Sequence, residues 1–208
     1  MSEDSNDTQT NIVSDNSDST KFNLLFLAVL IDLLGFGIII PILPFLVKDL
    51  NSNQEGLLVA LLLSTYSLAQ FISSPIWGRL SDKIGRRPVI LIGLIGSSIS
   101  FAYFGIVEEY ILLLSSRILA GIFTGATLPT ARAYVADITP PKDRARRYGL
   151  LGAAFGIGFT FGPAIGSLLS LDIFLIPNFP KQASASFFAA ILCMGNFILA
   201  YYKLPESL

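Results

Sequence analysis

The chain has 208 residues, of which 52% are hydrophobic and 14% charged, with a formal net charge of −1. An average soluble domain is about a quarter charged, so the chain lacks the polar surface to coat a water-soluble globule. One cysteine, Cys193, excludes a disulfide scaffold within the chain, the absence of histidine excludes a histidine metal site, and the charge balance argues against a nucleic-acid partner. What remains is an all-α integral membrane protein.

In chain order, residues 1–21 come first. They are rich in Ser, Asn, Asp and Thr, nearly free of large apolar side chains, and predicted to be a disordered acidic tail. The tail is no signal peptide: its start is acidic, its only basic residue is Lys21, and the apolar run behind it is too long. A span needs about 20 mostly apolar residues. Six segments qualify: Phe22–Val47, Gly56–Trp77, Pro88–Val107, Tyr110–Ile138, Tyr148–Leu171 and Gln182–Tyr202. Membrane strands would be about ten residues long with alternating polarity; these runs are longer and do not alternate, so they are helices. The expected organisation is a six-helix domain over residues 22–203, followed by a short segment, 204–208.

Orientation follows from Lys and Arg. The connection between spans 2 and 3 holds Arg79, Lys83, Arg86 and Arg87, and that between spans 4 and 5 holds Lys142, Arg144, Arg146 and Arg147. The opposite side holds only Lys48 and Lys181. Both basic connections, and so both termini, are expected in the cytoplasm, with the chain in the cell membrane.

An ionisable group at the centre of a bilayer helix costs about 2.5–3.5 kcal/mol on the insertion scale. Asp32 lies ten residues into span 1, which is about 15 Å along a helix and near the midplane. It reads either as a proton or cation site or as a permanently paired structural acid. Arg117 lies seven residues into span 4, about 10 Å deep. It can hold an anionic substrate group, pair with Asp32, or bond to backbone carbonyls at a bend. Arg132 and Asp137 sit near the membrane edge, where snorkelling explains them.

Gly158, Gly162 and Gly166 recur every four residues in span 5, with Pro163 among them, and Gly121 and Gly125 repeat the spacing in span 4. Such rows let backbones approach closely, either as plain packing or as bendable helices around a cavity. Spans 1–3 and 4–6 are two sets of three. Three is odd, so the second set is inverted relative to the first, which is a transporter plan.

The connection after span 2 reads Gly78-Arg79-Leu80-Ser81-Asp82-Lys83-Ile84-Gly85-Arg86-Arg87. It resembles the signature loop of the major facilitator superfamily. Asp32-Leu33-Leu34-Gly35 running to Pro44, Arg117-Ile118-Leu119-Ala120-Gly121 with Gly125, and Gly158 to Gly166 through Gly162-Pro163 resemble motifs of its drug/proton antiporter branch, near tetracycline-efflux-type proteins. The resemblance covers nearly all of residues 22–208. It implies that Asp82, Arg86 and Asp137 form a cytoplasmic charge cluster latching the outward-open state, beside Arg87. It also implies that Gly78 and Gly85 permit tight turns. Arg117 and Asp32 would couple protons to substrate, and Gly158, Gly162, Pro163 and Gly166 would shape antiporter packing. Ser167 departs from a glycine common at the end of the last motif.

The family has twelve helices in two halves with the cavity between them, so this sequence resembles an amino-terminal half, with 204–208 as the start of the interdomain linker. The expected function is proton-coupled efflux of small hydrophobic compounds, with a second six-helix half supplied by another copy or another chain. The implied partners are the bilayer, a small-molecule substrate, protons and that second half; no cofactor or metal is called for. Alternatives are a non-transporting truncated or binding membrane subunit, and metabolite or sugar uptake by the same fold. An enzyme is disfavoured, because no nucleophile–base pair, metal set or cofactor loop is visible.

Overall fold

A computed structural model describes residues 3–48, 54–171, 174 and 176–207, with side chains from residue 20 onward. Leu208, at the end of the expected linker, lies outside them. Among the described residues six helical segments are long and apolar enough to cross a membrane, and there is no strand. Span 1 is built from α1 (Glu3–Ile39), a 3-10 turn at Ile40–Ile42 and α2 (Leu43–Lys48). Pro41 and Pro44 lack the N–H that would continue the α ladder, so the chain tightens there and resumes. Spans 2 to 6 are α3 (Glu55–Ile84), α4 (Arg86–Ile106), α5 (Tyr110–Ile138), α6 (Pro141–Leu169) and α7 (Ala183–Lys203).

The acidic tail has helical backbone from Glu3, continuous with span 1. It contains no Gly or Pro, and extending a helix already nucleated by its apolar part is far easier than starting one. The connection after span 2 is not a loop: α3 runs on to Ile84 and only Gly85 separates it from α4. Gly78 therefore makes no turn; it lies within α3 with open space beside it. The second basic connection is likewise helical, as the first two turns of α6, with Pro141 at the helix start where its missing N–H costs nothing.

The dominant helix contacts are α1 with α6, α3 with α5, α4 with α5, α4 with α7 and α1 with α7. Exchanging spans 1, 2 and 3 for 4, 5 and 6 maps this set onto itself. The α1–α6 pair becomes α5–α3, α4–α5 becomes α7–α1, and α4–α7 is unchanged. That is the pairing an inverted three-helix repeat requires. Spans 2 and 5, which the exchange interconverts, are the least buried, at 17% and 28% of their most apolar windows.

Both repeat-related crossings are backbone on backbone. A Cβ at Gly162 would lie 2.7 Å from Gly37 Cα, and one at Gly37 would lie 2.6 Å from the Gly158 carbonyl oxygen. A Cβ at Gly166 would strike the Ile38 carbonyl, and one at Gly121 the Tyr66 carbonyl. Gly152 and Gly156, on the same helix as Gly162, have nothing within 4 Å.

This contrast generates a prediction. Gly162→Ala has no flexible side chain to displace, so it is expected to destabilise the bundle by about 3 kcal/mol, the upper end for overpacking. Gly156→Ala is expected to be neutral, or stabilising by up to about 1 kcal/mol through helix propensity. Equilibrium unfolding of the purified chain in mixed micelles checks both; equal effects at the two sites contradict the packing.

Candidate functional site

Near the middle of the bundle, a cleft of about 210 Å³ is lined by Asp32, Phe36, Tyr66, Gln70, Thr124, Thr127 and Phe159, with further apolar neighbours. The α1–α6 and α3–α5 crossings bring four helices to it. Its wall is aromatic: Phe36 stacks on Tyr66 at 4.5 Å between ring centroids and approaches Phe159 at 5.6 Å, and Phe159 stacks on Phe155 at 4.9 Å. Asp32 is 6% exposed, and its Oδ1 is buried without a hydrogen-bond partner.

Arg117 is 1% exposed. Its guanidinium lies over the Phe104 ring, 4.0 Å from the centroid, while its Nε and Nη2 groups have no hydrogen-bond acceptor. Among the described residues it forms no ion pair with Asp32, whereas Arg86 pairs with Asp82 and Asp137. Tyr66 is within electrostatic reach of both charges, and its hydroxyl is 2.9 Å from that of Thr124. The cleft therefore holds the Asp32 carboxyl group with an idle oxygen beside the linked Tyr66 and Thr124 hydroxyls, and the unpaired Arg117 guanidinium is buried within electrostatic reach of Tyr66. The predicted packing residues Gly158, Gly162 and Gly166 form the buried face of α6 against α1, and Pro163 Cδ would stand 3.4 Å from a Cβ at Gly37.

A second cluster lies where the basic connections meet. Arg86 Nε donates to Asp137 Oδ2 at 3.0 Å, and Nη1 donates to Asp82 Oδ1 at 2.5 Å and to Ser81 Oγ at 2.7 Å. One guanidinium thus joins the ends of α3 and α5 at the start of α4. Gly85 cannot cap α4 with a side chain, and the cap comes from the far end of the chain. The Glu206 carboxylate accepts the Arg86 backbone N–H at 2.8 Å and the Arg87 N–H at 3.2 Å. An anion at a helix start is favoured by the free N–H groups and the helix dipole. Gly85 has φ of 100°, and a Cβ there would lie 2.9 Å from the Glu206 carboxyl carbon, so glycine is required twice over. Arg87 donates to the Tyr201 carbonyl, the Tyr134 hydroxyl donates to the Pro205 carbonyl at 2.9 Å, and Ser207 Oγ approaches Asp137 Oδ2 at 3.3 Å.

The sequence reading missed Glu206 and Ser207, which it took as the start of a linker, and the aromatic wall of Phe36, Tyr66 and Phe159. One signal for Glu206 was present: a helix starting after glycine has no cap of its own and needs one from elsewhere.

Six apolar helices in inverted repeats, clamped by glycine crossings around a charged cleft, define a membrane transporter bundle. The Major Facilitator Superfamily matches residues 25–208, and the chain belongs to that family, whose members are transporters and not enzymes. It is 40% identical over 181 residues to the class C tetracycline resistance protein of Escherichia coli, which covers 86% of this chain and 43% of the relative. It is 35% identical over 147 residues to the quinolone resistance protein NorA of Staphylococcus aureus, covering 71% and 37%. The crystal structure of the human organic anion transporter MFSD10 superposes with a TM-score of 0.78 at 28% identity, over 92% of this chain and 48% of that one. The chain therefore spans less than half the length of these relatives.

The cap on α4 is testable in the chain itself. Glu206→Ala removes a capping carboxylate of the kind worth about 1 kcal/mol, so amide exchange at Arg86 and Arg87 is expected to speed up about fivefold, with Glu206→Gln intermediate. Exchange unchanged in both variants would show the contact to be incidental.

Proposed function

We propose that the chain is one six-helix half of a proton-coupled exporter of small, hydrophobic, drug-like compounds. It resides in the plasma membrane with both termini cytoplasmic. The observation that carries this reading is Asp32: a nearly buried carboxyl group in an aromatic cleft, with an unpartnered oxygen. In such a site the acid binds a proton or faces a substrate, and the two occupants compete. Competition at one acid is the minimum device for antiport. The aromatic wall offers stacking area to planar apolar compounds, and Arg117 offers idle N–H groups to a negative group nearby. The tetracycline and quinolone resistance proteins among its relatives support a drug-like cargo.

Two observations support a second half. Pockets for drug-sized ligands run about 300–1,000 Å³, so a cleft of about 210 Å³ is one wall of such a site. The flanking spans α3 and α6 also expose Phe71, Ile76 and Phe161 by more than half. A second half facing them turns the cleft into a cavity, and alternating access is then rocking of one half on the other. Residues 204–208 begin the connection, and the Asp82–Arg86–Asp137 cluster holds the outward-open state at the cytoplasmic end.

Two outcomes follow. In proteoliposomes with counted subunits, an imposed pH gradient is expected to drive efflux from assemblies of two halves, and Asp32→Asn is expected to abolish it. Efflux by counted monomers overturns the need for a second half, and undiminished efflux by the variant overturns the role of Asp32. No efflux in any assembly favours a non-transporting subunit. In intact cells, on a Cys193→Ala background, cysteines at Lys83 and Arg144 are expected to resist a membrane-impermeant thiol reagent, while ones at Glu55 and Glu109 react. The reverse pattern inverts the topology.

A further inference from the structure

Hydroxyls inside membrane helices ordinarily donate to the carbonyl one turn back. Several here do so. Ser100 donates to Gly96 at 2.7 Å, Thr124 to Ala120 at 2.8 Å and Thr160 to Gly156 at 2.8 Å, while Ser98 reaches across to Ala190 at 2.8 Å. Ser97 and Thr127 do not. Both are buried, at 0% and 1% exposure, and neither hydroxyl makes a hydrogen bond of good geometry. These two are the hydroxyls within hydrogen-bonding reach of the Asp32 carboxyl group. Thr130 and Ser186 are also unpartnered, but neither acts on that carboxyl group.

Their placement has a visible cause. Ser97 lies on α4 four residues after Gly93, on the same helix face, and Thr127 lies on α5 where that helix packs against Gly93. Gly93, one turn from Ser97, leaves room for the Thr127 side chain: a Cβ there would lie 3.0 Å from Thr127 Oγ1. Thr127 also lines the cleft with Asp32. The carboxyl group, with one idle oxygen, thus has an idle donor beside it on each of two helices.

We propose that Ser97 and Thr127 are positioning residues for Asp32, holding two hydroxyl donors in reserve for its ionised form. This rests on the reading of Asp32 as the proton site. When the carboxyl group loses its proton to water in the cleft, its oxygens become pure acceptors, and both hydroxyls turn their hydrogens onto them. No covalent bond changes other than the O–H of Asp32. When the proton returns, the hydroxyls are released. The other titratable groups that act on Asp32 among the described residues are Tyr66 from α3 and Cys193 from α7, and Tyr66 in turn feels Arg117 from α5. Since Arg117 makes no ion pair with Asp32, hydroxyl donors are what the fold supplies at close range. They orient the carboxylate without neutralising it, which leaves it free to take the proton back.

The test is infrared difference spectroscopy between acid and alkaline pH, on the full chain in lipid nanodiscs. Bands lost in Asp32→Asn are those of Asp32. Ser97→Ala and the near-isosteric Thr127→Val are each expected to displace the Asp32 carboxylate stretch, with the double variant displacing it further. Ser97→Thr and Thr127→Ser, which keep the hydroxyl, are expected to restore it. Asp32 bands unmoved in Ser97→Ala and Thr127→Val overturn the inference while leaving Asp32 as the proton site. A difference spectrum unaffected by Asp32→Asn overturns both. A purely structural role lowers thermal stability in the variants without shifting the band.

Discussion

The contact on which the bundle depends is backbone against backbone, where α1 crosses α6 at Gly37 and Gly162. In lipid there is no hydrophobic drive between helices, because the acyl chains are as apolar as leucine. Association rests on dispersion over short distances, and that falls off steeply with any gap. Glycine rows permit the approach, and their counterpart at α3–α5 uses Gly121 and Gly125 against Tyr66 and Ser73. The inverted repeat places these two clamps symmetrically. Together they fix α1 and α5 so that Asp32 and Thr124 look into one cleft.

Tight packing makes the looseness of the cleft informative. A buried polar group left without a partner costs about 1–3 kcal/mol; Asp32 Oδ1 and Thr127 Oγ1 belong to residues lining the cleft, and Arg117 Nε and Nη2 and Ser97 Oγ are further cases on α5 and α4. A bundle selected only for stability would fill these positions with apolar side chains, as it does around Phe101 and Leu94. On the proposed reading, the unmatched groups around Asp32 give up stability for a changing occupant. The phenyl face of Phe104 compensates Arg117 in part, and it does so without binding its N–H groups, which stay available.

Much of this was legible in the sequence. Twenty-residue apolar runs fix spans by length alone, and the glycine spacing of four fixes which faces meet, because side chains four apart share a helix face. The grouping of Arg86 with Asp82 and Asp137 came from the resemblance of the connection after span 2 to the family's signature loop. Three things were not legible, each for a physical reason. Where a helix stops is set by the first residue that cannot continue it: the apolar run ends at Trp77, but α3 persists to Ile84 because nothing before Gly85 breaks it. The aromatic wall joins Phe36, Tyr66 and Phe159 from three helices, and no local pattern distinguishes such residues from lipid-facing ones. Glu206 acts across 120 positions of chain on Arg86, and only the return of α7 to the same end of the bundle makes that contact possible.

That return gives the charge cluster a shape. Arg86 has a side chain 10% exposed, while the Asp82 side chain is 62% exposed and that of Asp137 is 27% exposed. The cation is therefore internal, and its carboxylates grade outward. Pairs on the exposed side are worth little in water, about 0–1 kcal/mol; the value of the arrangement lies in its connections. Arg86 ties α3 to α5, Glu206 ties the segment after α7 to α4, and Ser207 touches the same Asp137 that Arg86 holds. Bending one of these helices at this end would break contacts on the others, so α3, α4, α5 and α7 are tied together there. On the proposed reading that rigidity is required. Rocking needs each half to stay whole, and a contact to a second half needs a group that faces outward, a position that Asp82 occupies and Arg86 does not.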